Sequence, residues 1–311
     1  MKPRGSKNTS HSSSQTQEGA CTSESLESLA QDLEKCTLEK ETKIPFSHEQ
    51  LKDIIVDPEK DIVHDNWFKH NHHYASTDVK MMPALIEKAN RKHPGLNLKL
   101  ITTSQDLVSS IKEAINNGVQ SSRYIINTTD MGIHFVALDQ RTMAGKTSLI
   151  VFEPTTFQNE VPLLLAIRIQ QTVQNHLPEC SFTKVEMDIQ RSSSECGILS
   201  LALAKKLHTQ FDKLTRMHED NISGMLNTTS FTLRFDRADL YLPPAFYKHT
   251  QGARRLKEYI RSNPGSENEK VNKKDETLLT RFDKNSVAPK GKAVSVSLHK
   301  KRVSEYKTLM L

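Results

Sequence analysis

The chain of 311 residues carries 26% charged and 36% hydrophobic residues and a net charge of +6. That is enough for one large domain with lobes and tails, while no run is apolar for long enough to span a bilayer and the N-terminus lacks the apolar core of a Sec signal. Four cysteines (Cys21, Cys36, Cys180 and Cys196) without CxxC spacing or histidines at finger spacing argue against a disulfide framework and a structural zinc, and fit a reducing compartment.

Residues 1 to about 24 are rich in Ser, Thr, Gln and Gly and cannot offset the entropy of ordering, so they are expected to be disordered. An export signal read as an unfolded peptide and a plain tail both suit that composition. Leu26, Leu29, Leu33 and Leu38 mark a short helix. Ser47 and Gln50 are spaced for a capping box at the start of the next one. His70, His72 and His73 cluster after Trp67, but no acid or cysteine is spaced to complete a metal set, and no metal is expected. Thr77-Asp78 is predicted to cap a helix with Met81, Met82, Leu85, Ile86 and Ala89 on one face. Leu96–Ile101 alternates as a strand, and Ser104–Asn117 is helical again, ending at Asn117-Gly118.

Tyr124–Ile126, Gly132–Asp139 and Ser148–Glu153 read as strands, the last two forming an antiparallel hairpin around Thr142–Gly145. Gly145-Lys146-Thr147 is not a phosphate loop, because the first glycine of that pattern falls on Gln140. With the turn centred between Met143 and Ala144, His134 lies directly opposite Glu153, and directly paired side chains share a face with Cβ atoms about 5 Å apart. Pro154 ends the strand there and leaves the carboxylate near an open edge. Glu160–Leu177 is a long helix with Pro162 in its first turn, where a missing N–H costs nothing. Phe182–Gln190 is a further core strand.

The stretch Asp188–Leu199 then changes character. An apolar-alternating run stops at small polar residues, Cys196 follows, and a helical pattern runs on to about Leu214. A thiol at a helix start sits near the positive end of the macrodipole, which favours thiolate. A buried cysteine acting as a small hydrophobe is the plain alternative. Three groups thus stand in order: His134 as base, Glu153 to orient the imidazole, and Cys196 as nucleophile. Gln190 and the Cys196 backbone N–H are candidate donors to an oxyanion.

Leu240–Pro244 reads as a connector, Arg254–Ile260 as a helix, and Val294–Leu298 as weakly alternating, with His299–Arg302 ahead of a short terminal helix. From Lys248 onward sixteen lysines and arginines face seven acidic residues. Such a block suits a solvated face, a nucleic acid or a multiply charged small anion. Only Tyr259, Phe282 and Tyr306 follow Tyr247 as aromatics, too few for a base-stacking platform.

At these residues the chain resembles the YopJ family of bacterial type III secreted effectors. The resemblance is carried by Gly132-Ile133-His134, Phe152-Glu153-Pro154, Asp188–Gly197, Phe246–Gly252 and His299–Arg302, in order, over a span from about Asp53 to the C-terminus. It implies an α+β fold like the Ulp1 and adenovirus-type cysteine proteases, a mixed sheet flanked by helices, with a helical and basic regulatory region drawn from the N- and C-terminal parts. The chain then divides into a secretion or targeting segment (1–40), a catalytic core with N-terminal helices (41–215) and a basic regulatory region (216–311). The implied activity is an acetyl-CoA-dependent serine, threonine and lysine acetyltransferase working by a ping-pong acyl-cysteine mechanism. Its implied targets are host MAP kinase kinases or related kinases, met in the host cytoplasm after type III secretion, with suppression of immune signalling as the outcome.

The implied activator is inositol hexakisphosphate. Lys248, His249, Arg281, Lys300, Lys301 and Arg302 are the candidate ligands for it, since a polyphosphate needs dense cations. Lys248 is also a candidate for the family's autoacetylated lysine, and Lys205 and Lys206 are candidates for a coenzyme A phosphate. Neither nucleic acid nor stable membrane insertion is expected. A ubiquitin-like-protein cysteine protease with the same three residues is the alternative enzyme. A non-catalytic kinase binder is the third reading, against which the intact constellation argues.

Overall fold

The computed structural model describes residues 44–311 apart from 64–70, 128–132, 228–230 and 289–292. The predicted tail and short helix before residue 40, Cys21, Cys36 and His70 lie outside the described residues. Ile44–Leu311 forms one compact unit.

Helices α1 (His48–Val63) and α2 (Asn71–Lys92) precede β1 (Leu98–Ile101), α3 (Ser104–Asn116), β2 (Ser121–Ile126), β3 (Val136–Met143) and β4 (Lys146–Glu153). Then come α4 (Glu160–His176), β5 (Ser181–Glu186), α5 (Cys196–Thr209), α6 (Thr215–Ile222) and β6 (Thr232–Leu233). The six strands form one mixed sheet in chain order. β2, β3 and β4 are antiparallel neighbours, whereas β1–β2, β4–β5 and β5–β6 pair in parallel.

Strand alternation sets the layers. Ile125, Ala137, Ile150 and Phe152 point to a core shared with α2 and α5. Tyr124, Ile126, Val136, Leu138, Leu149 and Val151 point the other way, against Leu107 and Ile111 of α3 and Leu165, Ile169 and Val173 of α4. Helix α5 is buried on every side from Cys196 to Ala204, as its unbroken apolar composition requires. The sheet continues past residue 215 through β6, so the expected 215/216 division does not separate the strands.

Several expectations are met locally. Ser47 and Gln50 form the capping box, with Ser47 N–H donating to Gln50 Oε1 at 2.9 Å and Gln50 N–H to Ser47 Oγ at 3.2 Å. Three differ. Helix α2 begins at Asn71, so Thr77 and Asp78 lie inside it and are buried; Asp78 serves a distant partner rather than a cap. The hairpin turns on Ala144-Gly145, both with positive φ (48° and 77°), pairing Met143 with Lys146. That register is two residues away from the expected one. His299–Arg302 do not precede the terminal helix but lie within α10 (Ser297–Thr308), which packs on α1, α2 and α5. Before α10 come α7 (Phe235–Ala238), α8 (Ala253–Ser262), α9 (Leu278–Lys284) and the small pair β7 (Ser286–Val287) and β8 (Val294–Ser295).

Candidate active site

The parallel ends of β4 and β5 build the site. Glu153 is the last residue of β4 and pairs with Glu186 at the end of β5. Beyond β5 the backbone still holds to the β4 side: Met187 N–H donates to the Glu153 carbonyl at 2.9 Å and Gln190 N–H to the Pro154 carbonyl at 3.1 Å. Asp188 adopts a left-handed φ of 53° in this loop. The chain then enters α5, whose first residue is Cys196, a free thiol with 1% exposure.

His134 stands just before β3. Its Nε2 meets Glu153 Oε2 at 2.7 Å. The other carboxylate oxygen accepts from the Thr155 N–H and Thr155 Oγ1, each at 2.7 Å, so the whole carboxylate is oriented. That contact leaves the second ring nitrogen, Nδ1, free of Glu153, and Cys196 is among the groups whose influence raises the ring's pKa. The two-residue change of register preserves strand faces, because side chains alternate with period two. His134 therefore reaches Glu153 along the strand diagonal instead of straight across. Burial works against the imidazolium. The Glu153 charge and the hydrogen bonds to Cys196 and Glu153 outweigh it and push the His134 pKa up to about 10. At neutral pH the ring therefore holds its proton, whereas the base expected from the sequence starts without it.

A cleft of about 640 Å³ opens beside His134, walled by Thr155, Asp188, Gln190, Arg191, Ser192 and Arg254 among others. Gln190 is buried and its Nε2 donates to the Ser192 carbonyl at 2.6 Å; its Oε1 has no partner among the described residues. One of its two amide hydrogens is thus already engaged. Neither Lys205 nor Lys206 lines this cleft. Lys205 Nζ pairs with Glu305 at 2.8 Å, and Lys206 lies among the C-terminal cations.

Those cations gather around Lys248. Arg281 Nε donates to the Lys248 carbonyl at 2.9 Å, and Lys301 pairs with Glu305. Burial, then the charges of Lys206, Lys301 and Arg281, bring the Lys248 pKa down to about 7. His249 is buried beside them with Nδ1 on Ser297 Oγ at 3.2 Å and Nε2 unpartnered among the described residues; burial and the same cations hold its pKa well below the ordinary value. Lys300 bonds Asn285 at 3.1 Å. Arg302 departs from the expected ligand set. It is fully buried, its Nε and Nη2 each donate to Asp78 at 3.1 Å, and Nη2 also donates to the Ser194 carbonyl at 2.6 Å. No part of it faces an incoming anion.

Sequence reasoning missed Thr155, Asp78, Glu195 and Gln251. Gln251 and Glu195 sit inside the motif segments Phe246–Gly252 and Asp188–Gly197, which is the signal that pointed to them. Nothing local distinguishes Asp78 from a helix cap. A second Ser–His–Asp grouping needs separating from the site: His218 Nδ1 is 2.8 Å from Ser148 Oγ and its Nε2 3.0 Å from Asp139 Oδ2. All three are 0% exposed, and Asp139 also pairs with Arg123 and Arg141. With no access for a substrate, this network ties α6 to β3 and β4 as an interior strut.

Residues 50–308 match the family model described as YopJ Serine/Threonine acetyltransferase. The chain is 52% identical over 273 residues to the serine/threonine-protein acetyltransferase YopJ of Yersinia pestis, covering 88% of this chain and 94% of that one. A structure of an AvrA deletion variant with IP6 and CoA superposes with a TM-score of 0.81 at 47% identity, over 86% of this chain and 99% of that chain. HopZ1a in complex with IP6 and CoA shares the fold, with a TM-score of 0.62 at 21% identity over 76% of this chain and 86% of that chain.

Proposed function

This chain belongs to the YopJ serine/threonine acetyltransferase family, and from that premise we propose that it transfers acetyl groups from acetyl-CoA to protein side chains through an acyl-Cys196 intermediate. The single observation that carries the residue assignment is the buried contact of His134 with Glu153 at 2.7 Å beside the thiol that opens α5. In the first half-reaction the Cys196 sulfur attacks the acetyl carbonyl. The tetrahedral oxyanion takes hydrogen bonds from the Cys196 N–H and the remaining Gln190 amide hydrogen. As the C–S bond to coenzyme A breaks, the His134 imidazolium gives its proton to the leaving thiolate.

The resulting thioester carries no charge at sulfur. One of the influences that raises the His134 pKa is thereby removed, and the ring becomes the base for the second half-reaction. It takes the proton of a Ser or Thr hydroxyl, or of a Lys amine, while that atom attacks the thioester and Cys196 leaves as thiolate. Glu153, fixed by Thr155, keeps Nε2 protonated and Nδ1 turned to the sulfur throughout. The cleft beside His134 offers Arg191 and Arg254 to a charged partner.

The second ligand in this reading is inositol hexakisphosphate, the IP6 present with AvrA and HopZ1a. Lys206, Lys248, Arg281 and Lys301 crowd one another without enough carboxylate to neutralise them, and a polyanion relieves that repulsion. His249 and Lys300 flank the group. The acceptors we propose are activation-loop hydroxyls and lysines of host MAP kinase kinases, reached after type III secretion, with loss of immune signalling as the consequence. Incubating such a kinase with the full chain, acetyl-CoA and inositol hexakisphosphate should add acetyl mass to the kinase, read by mass spectrometry. Cys196→Ala should abolish the gain, and transfer retained in that variant would reject the acyl-cysteine route.

A further inference from the structure

Two tethers hold the loop that delivers Cys196. The first is Gln251: its Oε1 accepts the N–H groups of Arg191, at 2.5 Å, and Ser192, at 3.0 Å, while its Nε2 donates to Glu195 Oε2. Glu195 Oε2 also accepts from Ser192 Oγ at 2.6 Å. The second is Arg302, which reaches in from α10. Its Nη2 donates to the Ser194 carbonyl at 2.6 Å, and Nη1 lies 3.7 Å from Glu195 Oε1. Asp78 of α2 fixes the guanidinium from behind, and Tyr306 of α10 donates its hydroxyl proton to the same carboxylate. Asp78 also rests on the first turn of α5, since a Cβ on Gly197 would sit 3.2 Å from the Asp78 Cβ. Asp78, Glu195, Gln251, Arg302 and Tyr306 are all 2% exposed or less.

At this end the loop also meets His299 of α10, whose Nδ1 lies 3.4 Å from Glu195 Oε1. Glu195, the residue that caps α5, makes no side-chain capping bond to the helix. On α10, Arg302 directly follows Lys301, one of the crowded cations. Both residues sit on one helix, so a shift of α10 moves Lys301 and Arg302 together.

We propose that Arg302 is a positioning residue that links occupancy of the cation cluster on α10 to the backbone of Ser194–Cys196, so that the nucleophile is presented only when α10 is docked. This rests on the reading of that cluster as a polyanion site. Glu305 holds α10 to Lys205 of α5 and pairs with Lys301, but Lys206 and Lys248 add charge that these carboxylate contacts do not offset; a bound polyanion relieves it, steadies α10, and Arg302 passes the change to the Ser194 carbonyl and Glu195.

Hydrogen–deuterium exchange on the full chain, with and without inositol hexakisphosphate, tests the link. The variants are Arg302→Gln and, because a lone buried Asp78 charge opposes folding, the double change Asp78→Asn with Arg302→Gln. In the wild type the ligand should protect peptides covering both 297–308 and 190–198. In the variants, affinity for the ligand should stay within about threefold and protection of 297–308 should persist. Protection of 190–198 should vanish, with kcat for acetyl transfer down about tenfold or more and KM for the acceptor unchanged. Arg302→Lys should restore part of kcat. Ligand-dependent protection of 190–198 in the variants, or affinity falling in step with kcat, would overturn the inference. Should the wild type not bind the ligand, the activator reading fails, and the tether is judged on the unliganded chain. Faster exchange of 190–198 in the variants than in wild type supports it, and equal exchange rejects it.

Discussion

At His134 two opposing influences are large, and their balance fixes the protonation state from which catalysis starts. Burial disfavours the charged ring, yet the Glu153 carboxylate and the contact with Cys196 win and hold the pKa near about 10. The folded pKa is raised above the unfolded value, so this pairing contributes stability fully present below about pH 6.5 and lost as pH rises through about 10. Glu153→Gln removes the main raising influence while keeping a hydrogen-bond acceptor. The His134 titration, followed by NMR of labelled histidine, should move to lower pH, and kcat should fall about 10²- to 10⁴-fold, the scale seen when an orienting carboxylate is lost. A titration midpoint unmoved from about 10 would contradict the role given to Glu153.

Among the elements, the β3–β4 hairpin and α10 carry opposite kinds of information. The hairpin is local. Its turn needs two left-handed residues, and Ala144 adopts φ 48° at a cost that Asn would lessen. Ala144→Asn should therefore stabilise the chain by about 0.5–1 kcal/mol, read as a higher urea midpoint with an unchanged slope. Helix α10 instead answers to charge from other elements. Lys248, pushed down to about 7, gains a proton when a polyanion restores its ordinary pKa. Affinity for inositol hexakisphosphate should thus be full below about pH 7 and fall above it. Calorimetry in two buffers of different ionisation enthalpy should show proton uptake on binding at pH 8. In the free chain the sign is reversed: the unfolded state holds the extra proton between about 7 and 10.5, so stability rises with pH across that window.

Among the described residues, buried ionic groups join separate elements. Arg302 and Asp78 are 224 residues apart, Arg255 pairs with Asp239 beneath α8, and Arg123, Arg141, Asp139 and His218 brace the sheet. Breaking one member leaves a buried charge without its partner. Asp78→Ala should cost about 3–5 kcal/mol, measured by denaturant unfolding, and more than replacing Asp78 and Arg302 together with neutral residues. If the single change proved no worse than the double one, Asp78 and Arg302 would not be coupled.

Periodicity and composition alone determined the strand faces, the helix beginning at Cys196, the capping box at Ser47 and the basic C-terminal block. Each depends on residues within one or two turns of one another. The shared face of His134 and Glu153 was legible because strand parity survives a two-residue change of register. Only the tertiary structure decided that Asp78 is a buried counter-ion, that Arg302 turns inward to Ser194 while Lys301 joins the cations, and that Ser148, His218 and Asp139 are out of reach. Desolvation and ion pairing depend on what arrives from far along the chain, and no local pattern encodes which charge a buried arginine will meet.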